Sequence, residues 1–169
     1  TFFLRDDLFF HDDPLFDGGK GRNVVAGDVV YSLRRLADPS TASPGRWVME
    51  KVARRKDDRL YITAKDDTTL VIRLSERFPP FLGLLGMQYC SVIPQEIVKA
   101  RGKDFRSRPV GTGPFRFAMW KEGVKLVLRR NKNYFERDSL GNRLPYLEAV
   151  AITFIIDHQS AFLEFAKGN

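Results

Sequence analysis

His11-Asp12-Asp13, with Asp6-Asp7 a few residues earlier, is the densest run of metal-capable side chains in the sequence. A metal needs convergent nitrogen, oxygen or sulfur ligands at suitable spacing. No second histidine lies near, so the stretch reads as a solvated loop and no metal is assigned. His158 follows Asp157 at the start of a helical run, which suits a capping pair on the surface better than acid–base chemistry. Asp66-Asp67 lies between two strand-like runs and reads as a turn pair. Cys90 is the single cysteine. It has no partner for a disulfide and no base beside it, so it reads as a small buried hydrophobe, and the redox compartment stays open. Gly18-Gly19-Lys20-Gly21-Arg22 lacks the glycine spacing, the Lys-Ser/Thr ending and the buried strand of a phosphate-cradling loop, and reads as a flexible surface turn. There is no Gly-x-Ser-x-Gly elbow. These residues point away from an enzyme and imply no cofactor; what remains is binding.

The elements that would position a binding site are legible from periodicity and turn chemistry. A strand is expected over 2–5, then a polar loop. Gly27 to Ala37 predicts a helix with Val29, Val30, Leu33, Leu36 and Ala37 on one stripe, Asp28 in its first turn, and Pro39 and Pro44 beyond its end. Ser43 to Val52 predicts a short second helix presenting Trp47 and Met49. Hairpins are expected over 59–64 with 70–74, and over 115–120 with 125–129. Short helices are expected at 81–85, 95–100 (closed by Gly102) and 160–166, with 89–93 a brief strand or extended link. The apolar run Leu147 to Ile156 predicts a strand buried on both faces. Pro109-Val110-Gly111-Thr112-Gly113-Pro114-Phe115 reads as a rigid joint, with Gly111 and Gly113 expected in conformations that a β-carbon disfavours.

The chain has 169 residues, enough for one good core or two small ones, and 43% hydrophobic content is a globular value. Twenty-eight basic against 21 acidic residues give a net charge of +7. The clusters at 34–35, 54–56, 106–108 and 129–132 are short and interrupted, which fits a solvated surface. A basic nucleic-acid-binding module is the alternative this balance raises. No run is long and apolar enough to cross a membrane.

Six segments in order resemble the family-five solute-binding proteins of ABC importers, the group of oligopeptide-, dipeptide- and nickel-binding proteins. Phe3-Leu4-Arg5-Asp6-Asp7 with Phe9 to Asp12 resembles the family's F-x-L-R opening. Ala26-Gly27-Asp28-Val29-Val30-Tyr31-Ser32 is similar to its A-x-D-V-x-Y-S helix. Asp66 to Leu74 followed by Pro79-Pro80-Phe81 resembles its hairpin and turn. The Pro109 to Phe115 joint, Leu128 to Phe135 and Gly168 complete the set. Val25, Phe135 and Asp13-Pro14 depart from the common pattern.

The resemblance implies an α/β fold with mixed sheets: a partial type II periplasmic-binding-protein clamshell. Residues 1–93 would form part of the small extra domain and 94–169 part of the first lobe, the second lobe being absent. It implies capture of oligopeptides or dipeptides for a membrane permease, no nucleic acid, and a periplasmic or membrane-anchored extracytoplasmic location with the export signal upstream. Trp47, Met87, Gln88 and Tyr89 are the implied ligand-cleft residues, and Gly111, Thr112, Gly113 and Pro114 the hinge or structural joint. A piece of a clamshell is expected to bind ligand poorly alone and to self-associate through uncovered strands.

Overall fold

Two antiparallel three-stranded sheets carry the chain, and the computed structural model describes residues 1–168. The first sheet has the order β1 (Phe2–Phe3), β3 (Thr69–Ile72), β2 (Ile62–Ala64). Its register places Ile62 opposite Ile72 and Phe2 opposite Leu70. The turn between β2 and β3 is set by Asp66, whose Oδ1 accepts from the backbone N–H of Thr68 and Thr69 at 2.9 and 2.7 Å. Helix α1 (Ala26–Ala37) lies on this sheet and buries Leu33 and Leu36, two positions of the expected stripe, together with Ala26 at its start. They meet Ile62, Leu70, Val48, Met49 and Phe81, the last from α2 (Phe81–Leu85). Each large aliphatic or aromatic side chain buried there contributes about 1.5–3 kcal/mol.

A second core gathers Phe10, Phe16, Val24, Ile97 and Val110. Ile97 belongs to α3 (Gln95–Arg101), which stops at Gly102 with φ 53°, the left-handed side that favours glycine. This core takes residues from both sides of Ile93–Pro94. Arg22 joins it to the first: its guanidinium is paired with both carboxylate oxygens of buried Asp28 at 2.7 and 2.8 Å and with both of Glu96 at 2.6 and 3.0 Å. Both acids lie in helix first turns, where the helix dipole favours negative charge. Ser32 Oγ, buried on α1, accepts from Ile93 N–H at 3.0 Å and makes a second link.

The second sheet has the order β4 (Phe115–Lys121), β5 (Lys125–Arg130), β6 (Ala149–Thr153). A bulge at Ala118 shifts the β4 register, so that Phe117 faces Leu128 and Trp120 faces Leu126. Phe115, Phe117, Trp120, Leu126 and Leu128 therefore share one face. Helix α4 (His158–Ala166) follows, capped by Asp157, whose Oδ1 accepts from Ser160 N–H at 2.8 Å.

Several expectations are corrected. The helix expected over 43–52 is a 3₁₀ turn at Arg46–Met49, because the chain becomes extended again at Val52, which bridges to Leu74. Of the brief strand or extended link expected over 89–93, the first part is a 3₁₀ turn at Gln88–Cys90 and an extended link follows it. The loop at 11–13 is not simply solvated: His11 and Asp13 are buried, and Asp13 pairs with Arg101 at 2.5 Å. Gly111 and Gly113 lie outside the positive-φ region, and a β-carbon on either would meet nothing within 4 Å. The joint is held instead through its carbonyls. Gly111 O accepts from His11 N–H at 2.8 Å, and Gly113 O accepts from Asn131 Nδ2 at 3.0 Å and lies 2.9 Å from His11 Nε2. Finally, β6 is not buried on both faces. Among the described residues it pairs along one edge only, and Ile152, Phe154 and Ile156 remain accessible.

Candidate functional site

A groove of about 600 Å³ opens between the joint and the apolar face of the second sheet. Its floor is Phe115, Phe117, Trp120, Leu126 and Leu128. Alternation along the hairpin puts these side chains on one face, and the bulge brings in Trp120 where unbroken alternation would have brought Met119. The opposite wall is backbone-rich: Ser91-Val92-Ile93 from the link after the 3₁₀ turn, and Pro109 to Gly113 from the joint. Val110 is fixed in the second core, so this wall is anchored from behind.

His11 reaches the groove from beneath the joint. Burial pushes its pKa below the ordinary histidine value, the contact with Gly113 O and the Asp12 charge oppose that shift, and Arg116 adds to it. The neutral imidazole holding a backbone carbonyl is a structural tie rather than a base aimed at a substrate. At the groove mouth Arg106 lies 5.5 Å from the centre of the Trp120 ring and pairs with Glu122 at 3.3 Å, an exposed cation over an aromatic face.

The expected cleft residues and the groove are neighbours but not the same surface. Trp47 sits on the Arg46–Met49 turn and is exposed; Met87 and Tyr89 pack half-buried against the first core; Gln88 is exposed. Gly45 brings its backbone against the Tyr89 ring so closely that a β-carbon would lie 2.2 Å from Cγ, which locks the two 3₁₀ turns together. None of Trp47, Met87, Gln88 or Tyr89 lines the groove, whereas Gly111, Thr112 and Gly113 do. Pro114 turns toward a smaller apolar pocket with Tyr134 and Leu144. The floor residues were not among the expected site residues, and His11 was expected in a solvated loop. Phe115, Phe117, Leu126 and Leu128 carried a period-two signal, but the sheet face they share with the joint is set by tertiary packing.

Such a surface suits binding of an extended chain: backbone N–H and C=O groups along one wall, apolar depressions along the other. Cys90 donates weakly to Leu84 O at 3.6 Å, and burial pushes its thiol pKa up, away from the reactive thiolate. Among the described residues no group of three His, Cys, Asp or Glu side chains could hold a metal ion.

The sequence model for bacterial extracellular solute-binding proteins, family 5 Middle, matches residues 1–169. The periplasmic oligopeptide-binding protein OppA of Salmonella typhimurium is 31% identical over 184 residues, covering 100% of this chain and 32% of that protein. Among solved structures, MoaA from A. tumefaciens R10 in complex with mannopinic acid is similar at 32% identity and a TM-score of 0.79, over 98% of this chain and 30% of that one. The ABC transporter-associated periplasmic binding protein DppA from Helicobacter pylori, in complex with the peptide STSA, is similar at 26% identity and a TM-score of 0.77, over 98% of this chain and 33% of that one. The chain thus spans about a third of the length of these relatives.

Proposed function

The chain belongs to the bacterial extracellular solute-binding proteins of family 5, and from that membership we propose that the protein carrying it captures oligopeptides or dipeptides and delivers them to the permease of an ABC importer. The observation that carries this reading is the match of the family across all of residues 1–169, in company with peptide-binding relatives. The groove agrees with it, since it sets the chain segments 91–93 and 109–113 opposite an apolar sheet face. Family members are substrate-binding transport proteins, and this protein acts by binding, not catalysis. It works outside the cytoplasm, as its family's name describes.

Within this reading, residues 1–93 supply part of the small domain and 94–169 part of the first lobe. The joint at Gly111–Pro114 fixes one wall of the cleft, and Trp47 and the Met87–Tyr89 turn stand at its edge. Selectivity then depends on side chains that close over the ligand from elements beyond this chain. Calorimetric titration of the intact protein with a mixed peptide library, and with duplex DNA at two salt concentrations, tests the function. Saturable peptide binding is expected. Salt-sensitive DNA binding without peptide binding would instead support the nucleic-acid module that the net charge of +7 raises.

A further inference from the structure

A second pocket, of about 440 Å³, lies between the N-terminal loop and the loop that follows β5, and it shares no residue with the groove. We propose that it is a binding site for a small aryl oxyanion, a carboxylate or phosphate carried on a flat apolar ring.

The charge balance of the pocket selects an anion. Lys20, Arg137 and Arg143 all line it, and none has a carboxylate partner among the described residues. Arg137 spends one N–H on Gly141 O and Arg143 one on Lys132 O, each at 2.8 Å, leaving further donors on both guanidinium groups. The Lys20 ammonium has no hydrogen bond or ion pair among the described residues, its backbone N–H alone donating to Asp17 O at 3.4 Å. The two carboxylates at the rim are already engaged. Asp7 is held bidentately by Arg5 at 2.8 Å for both bonds, and Asp12 accepts from Gly21 N–H at 2.9 Å. Three lining cations thus face one lining carboxylate without a cation partner among the described residues, Asp12, since Asp7 is paired with Arg5, and guanidinium pairs favour planar oxyanions.

The walls select a ring. Phe9, Tyr134 and Phe135 line the same pocket. Phe9 is 40% exposed, and Tyr134 and Phe135 form a tilted pair with centroids 4.8 Å apart. Arg5 stacks on Phe135 at 4.5 Å and fixes that ring in place. Aromatic walls of this kind hold a second ring by offset or edge-to-face contact. The backbone on the loop side is equally fixed, because Gly21 sits against Phe10 O where a β-carbon would come within 1.8 Å.

The test is titration of the intact protein with phenyl phosphate and benzoate, read by nuclear magnetic resonance shifts, with inorganic phosphate and benzylamine as probes lacking the ring or the anion. Saturable binding of both aryl anions is expected, tighter than inorganic phosphate, with no saturation by benzylamine. Lys20→Glu should weaken phenyl phosphate about tenfold or more, the loss expected for one charge-assisted contact turned repulsive. Lys56→Glu makes the same change of charge outside the pocket and should leave affinity unchanged. The Lys20 ammonium has no hydrogen bond or ion pair to lose among the described residues, so its variant should melt as the parent does; Lys20→Gln replaces it should the glutamate lower the melting temperature. No saturation at millimolar aryl anion, equal affinity for inorganic phosphate, or equal losses in Lys20→Glu and Lys56→Glu would overturn the assignment.

Discussion

At the scale of single residues, the glycines that matter are not the ones that the joint advertises. Gly21 has Phe10 O 1.8 Å from the position of a β-carbon, a backbone atom that cannot swing away. Gly21→Ala is expected to destabilise the protein by about 2–4 kcal/mol in denaturant melts, by forcing the two backbone segments apart. Gly113→Ala has open space and no positive φ. It should fall within about 1 kcal/mol of neutral, on the stabilising side where unfolded-state entropy dominates. His11 makes a pH-dependent contribution with a definite sign. Burial lowers its folded pKa beneath the unfolded value near 6.5, so the unfolded chain binds the proton more readily. The contribution is fully present above pH 6.5 and is lost as pH falls from there through the folded value. Melting temperatures between pH 7.5 and 5 should therefore drop more steeply for the parent than for His11→Gln, which can still donate to Gly113 O; parallel slopes would refute the assignment. Composition hinted at none of this. The partners of His11 and Asp13 lie 102 and 88 residues away in sequence, and an aspartate with a distant arginine looks the same on paper as one in water.

Elements were far more legible than their boundaries. The apolar stripe of α1, the Asp66 turn, the Gly102 stop and the Asp157 cap each follow from local chemistry, and each stands where the sequence placed it. The strands of the first sheet and β6 were shorter than expected because local alternation continues past the last ladder hydrogen bond: Leu60 has a strand-like neighbourhood but only an isolated bridge to Arg54. The turn at Arg46–Met49 and the exposed β6 depended on what packs against them, which period-counting does not see. The joint is the element through which the groove is built, and Asn131, 6% exposed, is its far anchor. Asn131→Ala removes a donor to Gly113 O and an acceptor for Asn133 N–H. It should destabilise by about 1–3 kcal/mol and speed hydrogen exchange around 113–115 and 133; unchanged exchange there would mean that the joint is held without it.

At the scale of the whole molecule, the apolar surface is distributed unevenly. The region after β5 leaves Leu147, Ile156, Phe162 and Phe165 between 62% and 89% exposed, while the two cores upstream are closed. The edge of β6 away from β5 carries no partner strand among the described residues. Surfaces of this kind recruit other chains. The 169 residues by themselves should accordingly form dimers or larger species in light scattering at concentrations where the intact protein is monomeric; a strictly monomeric isolated chain would contradict this. The same geometry underlies the functional claim. On the proposed reading the groove is one wall of a cleft, enclosure requires an opposing lobe, and closure completes binding. The most direct measurement is calorimetric titration of one peptide into the intact protein and into the isolated 169-residue chain, side by side. Micromolar or tighter binding by the intact protein with no detectable binding by the isolated chain is the expected result; equal affinity in both, or none in either, would contradict the account.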